Sequence, residues 1–303
     1  MDTEARLSIG DVAERTGVNP VTLRAWQRRF GLINPARTPK GHRLYSEQDI
    51  SRIEDILRWL AKGVAISRVK PLLEQSIPTD ANQGAENCSA LDEWHQHREI
   101  LLQAVIELNA GRLQSALDEA SALYPFPVFF RHLLKPWIDA VELRLNQVDT
   151  GDGADTIPRE DAELIASWLQ AQLELRLHAL AFGQKGPFKG HCILIDIEHS
   201  GWQSLLAGFE LTAENMHWQQ LSASALRQLP LAADRLTFHG LVLAVPADLP
   251  GSYLDELMTL QQTLGVPLAL YGQYASVYHG VTSLTTINPG QLNSLPGLIE
   301  ERL

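Results

Sequence analysis

The turn Thr16-Gly17-Val18-Asn19-Pro20 constrains this 303-residue chain more than any other feature. Gly17 is free to take a positive φ and end a helix. Asn19 can cap the next helix, and Pro20 suits its first position, where a missing N–H costs nothing. Short amphipathic runs lie on either side. Ser8 to Arg15 puts Ile9, Val12 and Ala13 on one face, with Ser8 as N-cap and Asp11 three residues on. Pro20 to Phe30 forms the second helix and stops at Gly31. Two short helices joined this tightly form a helix-turn-helix. Pro35, Pro39 and Gly41, followed by the alternating His42, Arg43, Leu44 and Tyr45, predict a two-stranded wing. Ser46 opens a third helix, with Asp49 at the capping-box position and Ile50, Ile53, Ile56, Leu57 and Leu60 as its apolar stripe. Gly63 ends it, and Ile66 to Gln75 forms a fourth.

Beyond this module the pattern changes twice. Residues 77–90, IPTDANQGAENCSA, are small and polar and read as a flexible linker. Residues 91–183 carry helical periodicity over about 91–109, 112–123, 126–147 and 158–182, which predicts a four-helix bundle. From 188 the apolar runs shorten. His191–Ile197, Met216–Leu221, Gly240–Pro246 and Pro267–Tyr271 read as buried strands alternating with helices, and a fifth strand is expected within Val277–Ile287. That alternation predicts a doubly wound, Rossmann-like parallel sheet over 188–303.

Charge divides along the same lines. Residues 1–76 hold 13 Lys and Arg against 9 Asp and Glu, giving +4, within a chain whose net charge is −11. The remainder therefore carries −15. A basic module joined to an acidic body suggests nucleic-acid contact at one end only. The second helix can turn Leu23 and either Trp26 or Phe30 inward and present Thr22, Arg24, Arg28 and Arg29, with Trp26 also a candidate for the DNA-facing set. Guanidinium groups there suit guanine edges or phosphate in a major groove. Lys40, His42, Arg43 and Tyr45 on the wing would reach the flanking backbone or the minor groove.

The string LSIGDVAERTGVNPVTLRAWQRRFGLINPARTPKGHRLYSEQDISRI, from Leu7 to Ile53, resembles the MerR family of transcription regulators. The resemblance covers nearly all of residues 7–75. It rests on the helix-turn-helix, the T-L-R-x-W-x-R-R-x-G-L core and the G-H-R-L-Y wing. The Trp26 form looks like the MlrA-like branch, related to CarH and LitR, whose members add a cobalamin-binding-type domain. The resemblance implies a homodimer on promoter DNA that distorts an over-long spacer for RNA polymerase, usually as an activator. For the MlrA-like branch it implies curli and biofilm control.

The cobalamin motifs do not follow. Relatives that bind the cofactor carry a D/E-x-H-x-x-G loop after the first strand. Here the stretch is Asp196-Ile-Glu-His-Ser-Gly-Trp-Gln203. Registered by its distance to the next strand, Ser200 stands where the His belongs and Gln203 where the Gly belongs, with His199 one residue off. Leu145 and Glu163-Leu164 occupy the bundle positions, Ala244 stands near a later Ser, and a Gly-Gly survives as Gly272-Gln273. The expectation is a degenerate domain without cobalamin.

Other chemistry has little support. His95 and His97 do not share a helix face. Cys88 and Cys192 are isolated, so neither a disulfide scaffold nor a Cys-rich metal site is expected, and a reducing cytoplasm is the natural compartment. Trp202, Trp218 and Tyr271 suit the core better than a pocket. No phosphate-binding Gly loop, catalytic signature, membrane span or signal peptide is present, so an enzyme is not expected. The alternative reading is a sensor whose acidic C-terminal part binds a small ligand, such as cyclic di-GMP, or a signalling enzyme. Without an Arg cluster there, a protein partner fits better than a nucleotide.

Overall fold

The computed structural model describes residues 7–74, 83–146, 161–183, 188–197, 202–246, 248–280 and 284–300. The chain divides into two compact units, Met1–Ala166 and Ser167–Leu303.

The first unit opens with α1 (Ile9–Thr16), held by a complete capping box. The Ser8 N–H donates to Asp11 Oδ2 at 2.8 Å, and the Asp11 N–H donates to Ser8 Oγ at 3.3 Å. Hydrogen bonding to the Ser8 side chain and then to the Ser8 N–H holds the Asp11 carboxyl below its ordinary pKa. Gly17, at φ 70°, closes the helix. The Asn19 side chain caps α2 (Pro20–Ala25), accepting from the Val21 N–H at 2.8 Å. The helix then widens into a π-turn over Trp26–Phe30, a departure from the regular helix that periodicity predicts. The wing is short: β1 (Ala36–Arg37) pairs antiparallel with β2 (Arg43–Leu44). A second capping box, Ser46 with Asp49, starts α3 (Glu47–Ala61), and α4 (Ile66–Glu74) follows. Val12, Leu23, Trp26, Leu32, Ile50, Ile53, Ile56, Leu60 and Val69 are among the side chains buried here.

Helix α5 (Gln83–Ile106) begins inside the stretch that reads as a linker. Ala85, Glu86 and Ala90 are good helix formers and extend the helix toward its N-terminus. Residues 75–82 lie outside the described residues. After α6 (Ala110–Leu123), α7 (Phe126–Phe129) passes through a second π-turn at Phe130–Leu134 into α8 (Lys135–Asn146). Leu101, Val105, Leu113, Leu117, Phe129, Leu133 and Ile138 are among the side chains they bury.

The boundary between the units falls inside α9 (Ala162–Gly183), so most of this helix clusters with the sheet rather than with the other three. The sequence reading of one four-helix bundle is corrected to that extent. Its reason is local packing. A Cβ on Gly208 would lie 2.6 Å from Leu177 Cδ2, so the missing side chain lets α9 approach α10 (Gln203–Ala213). Every residue of α10 is buried, including the polar Gln203, Ser204, Glu210 and Thr212.

Strands β3 (His191–Asp196), β4 (His217–Ser222), β5 (Gly240–Ala244), β6 (Leu268–Tyr271) and β7 (Thr285–Ile287) form one parallel sheet in the order β4-β3-β5-β6-β7. This is the 2-1-3-4-5 order of doubly wound flavodoxin-like sheets. One face packs Ile193, Ile195, Leu241, Leu243, Leu268 and Leu270 against Leu254 and Leu257 of α12 (Gly251–Leu264). Between β4 and β5, a 3₁₀ turn (Ala223–Gln228) leads into the short α11 (Leu229–Ala232). A terminal helix, α13 (Leu295–Glu300), completes the unit and has no counterpart in the sequence reading.

Candidate nucleic-acid interface

The residues expected to face DNA separate into two groups. Arg28, Arg29, Lys40 and His42 are exposed, while Arg24 and Arg43 are half-buried. The Arg43 Nε–H donates to Gln27 Oε1 at 2.7 Å, tying the wing to the second helix. The wing tip is set by the Thr38 N–H, which donates to His42 O at 2.9 Å, and by Gly41 at φ 84°. Two further residues belong to this surface and were missed in the sequence. Val21 is 54% exposed at the start of α2. Arg37 is exposed on β1 and donates to Gly41 O at 3.4 Å. The signal for Arg37 was its place at the start of the wing, opposite Arg43 in the strand register.

Three residues read as DNA-facing are interior. Trp26 and Tyr45 are completely buried, and Thr22 is 2% exposed. For Trp26 the inward of its two sequence alternatives holds. In the folded unit, α2 packs on α6, and the Trp26 indole N–H donates to Leu123 O at 2.8 Å. Thr22 lies one turn earlier on the same flank. Tyr45 pairs through its backbone with Leu7, at 2.8 and 2.9 Å. Its hydroxyl has no hydrogen-bond partner, and burial pushes its pKa up. These three side chains are packing residues of this fold.

The junction with the helices is built from several polar contacts. The Trp94 Nε1–H donates to Gly63 O at 2.8 Å. The Ile66 N–H donates to Tyr124 Oη at 3.2 Å, and that hydroxyl donates to Glu93 at 3.4 Å. Burial pushes the Tyr124 phenol pKa well up. The His132 ring packs against Gly63, and its pKa is lowered chiefly by burial. Arg29 reaches Glu119 of α6 at 3.3 Å.

In the second unit, the loop expected to carry a cobalt ligand lies mainly outside the described residues, at 198–201, including His199 and Ser200. Gln203 is described and is 3% exposed. Its Oε1 accepts from the Gln273 N–H at 3.1 Å, so the chain's own side chain fills the space that a Gly would leave open. Trp202, Trp218 and Tyr271 are buried. The Trp218 Nε1–H donates to Thr212 Oγ1 at 3.0 Å, and the Tyr271 hydroxyl donates to Glu210 at 2.8 Å. A cavity of about 580 Å³ opens past the carboxyl ends of β3, β4 and β5, lined by Ile197, Ala223, Pro246, Asp248, Leu249 and Tyr253. Doubly wound sheets place ligands at such a switch point. Among the described residues, no group of three His, Cys, Asp or Glu could hold a metal, and no helix is long and apolar enough to cross a membrane.

Comparison with known proteins decides what the first module is. Residues 7–76 match the family described as MerR HTH family regulatory protein. They form a MerR-type helix-turn-helix domain. The chain is 40% identical over 132 residues to the HTH-type transcriptional regulator MlrA of Escherichia coli K12, covering 44% of this chain and 50% of that one. It is 31% identical over 185 residues to the HTH-type transcriptional repressor CarH of Myxococcus xanthus, covering 60% and 59%. A mercuric resistance operon regulatory protein of Bacillus cereus is 39% identical over 69 residues, covering 22% and 52%. The chain thus spans about half the length of the relatives it matches. The MerR-type domain is not folded apart from its neighbours, because Trp26, Gly63 and Ile66 all bond to atoms of α5 and α6 or the residue after α6.

Proposed function

We propose that this protein is a sequence-specific DNA-binding transcription regulator. The observation that carries this reading is the exposed basic strip of the MerR-type domain. Arg24, Arg28 and Arg29 on the second helix continue into Arg37, Lys40, His42 and Arg43 on the wing, and the Arg43–Gln27 hydrogen bond joins the two. A strip of this kind suits one helix in a major groove with the wing along the flanking backbone. The names of the MlrA and CarH relatives support regulation of transcription, and of the two only that of CarH gives a sign, repressor. We favour a cytoplasmic homodimer that activates by distorting an over-long promoter spacer for RNA polymerase, with curli and biofilm genes as its targets. Footprinting on genomic fragments, with and without polymerase, tests this. Arg24→Ala should cost about 1–3 kcal/mol at a specific site if the side chain reads a base. Even weakening across all sequences would make it a phosphate contact, and no change would refute its place at the interface.

A second activity belongs to the sheet domain. The cavity at the switch point supports a sensor role for a small, largely apolar ligand or a protein partner. Among the described residues, Asp248 is the only charged one lining it, which disfavours an anion such as cyclic di-GMP. We infer that cobalamin is not the ligand, because buried Gln203 stands where the cofactor loop needs a Gly. A corrinoid absorption spectrum in the purified protein would overturn this.

A further inference from the structure

Arg29 sits on the flank of the second helix that meets α6, not in the middle of the exposed strip. Trp26 and Arg29 are one turn apart on that helix, and Leu123 and Glu119 are one turn apart on α6. The two pairs meet in register. The buried Trp26 N–H bonds to Leu123 O at 2.8 Å, and Arg29 Nη2 lies 3.3 Å from Glu119 Oε1. The first contact is interior and fixed. The second is open to solvent, with side chains 53% and 61% exposed. Trp26 therefore keeps Glu119 within reach of Arg29, whatever the strength of the ion pair. A carboxylate oxygen on a guanidinium offers the same charge-assisted bond that a phosphate oxygen would.

We propose that Glu119 is an intramolecular competitor of the DNA backbone for Arg29. It holds the arginine in the free protein and yields it when a phosphate arrives, so part of DNA affinity is set by a helix that does not read DNA. Exposed ion pairs are weak and are screened by salt. The competition is thus strongest at low ionic strength and easily overcome by a duplex with many phosphates. Glu119 is a positioning residue here, acting on DNA only through Arg29. The inference rests on the DNA-binding reading of the MerR-type domain.

The test uses the full-length protein and a random-sequence duplex, with affinity followed by anisotropy across a salt series. Glu119→Gln should bind about 1.5- to 5-fold tighter at low salt. Its log–log salt slope should steepen by up to about one ion, because the competing pair it removes is itself weakened by salt. In an Arg29→Gln background, the same substitution should have no effect. Glu119→Gln that binds no tighter overturns the proposal. So does a gain that persists without Arg29, since that would be a general effect of charge. Arg24→Ala and Arg28→Ala run alongside. If they weaken binding while Glu119→Gln is silent, the competition fails and the DNA-binding reading stands. If no arginine variant changes binding, the DNA-binding reading itself fails.

Discussion

Trp26→Phe separates the two roles that the sequence and the fold give this side chain. The substitution keeps an aromatic ring in the interior and removes the N–H that bonds to Leu123 O at 2.8 Å. That carbonyl belongs to the last turn of α6, where no intrahelical donor is available. Leaving it buried and unpaired costs about 1–3 kcal/mol. Replacing an indole by a phenyl also leaves a cavity, which adds roughly 1 kcal/mol, well below the 3–5 of a complete aromatic truncation. The sum is about 2–4 kcal/mol, or a fall of roughly 4–16 °C in Tm for a unit of this size. Differential scanning calorimetry measures the fall, and DNA titration well below the new midpoint measures binding. The expected result is a lower midpoint with affinity per folded molecule within about twofold of wild type. An unchanged midpoint together with a tenfold loss of DNA affinity would mean that Trp26 contacts DNA and that its burial against α6 has been misjudged.

Other outcomes follow from single contacts. Glu210 is buried on α10 and accepts from the Tyr271 hydroxyl and from the N–H groups of Gly290 and Leu292 at 2.9 and 2.6 Å. A glutamine has one acceptor oxygen and would turn a donor toward one of these donors, so Glu210→Gln should cost about 2–4 kcal/mol. Hydrogen exchange should show the loss as reduced protection at Gly290 and Leu292, and full protection there would refute the anchor. Gly208→Ala should destabilise by about 1–3 kcal/mol through its clash with Leu177 and Trp218, read from urea unfolding. The capping of α1 should depend on acid. The Asp11 pKa is depressed in the fold, so its stabilisation is present above the unfolded carboxylate pKa and is lost as pH falls through the folded value. Exchange at the Ser8 amide against pH reads it, and no change under acid would exclude the cap.

Local chemistry made much of this fold legible. Gly17, Asn19 and Pro20 mark the helix-turn-helix because each acts on its own backbone. The runs from Cys192 to Ile195 and from Leu241 to Ala244 mark buried parallel strands because almost nothing in them can face water. The corrections arise where the deciding partner is distant in sequence. Helical spacing allows Trp26 to face inward, but the carbonyl 97 residues away that takes its N–H is not visible in that spacing. Most of α9 joins the sheet because Gly208 leaves room for Leu177, a fit invisible in periodicity. The sequence reading also broke the chain at 77–90, whereas helix α5 already runs from Gln83. Of the proposed interface, the charged residues were legible and the buried ones were not, because an amphipathic aromatic looks the same whether it meets a base or a helix.

The last turn of α6 has an evolutionary consequence. Its Leu123 carbonyl is completed by an indole from the second helix of the MerR-type domain, and the phenol of the next residue completes the Ile66 amide. A recombination event that swapped residues 7–76 alone would strand these groups on both sides of the cut. The segment that could be exchanged as a working piece therefore runs at least as far as Tyr124, and the MerR-type domain is more readily changed by substitution along its exposed surface than by exchange as a module.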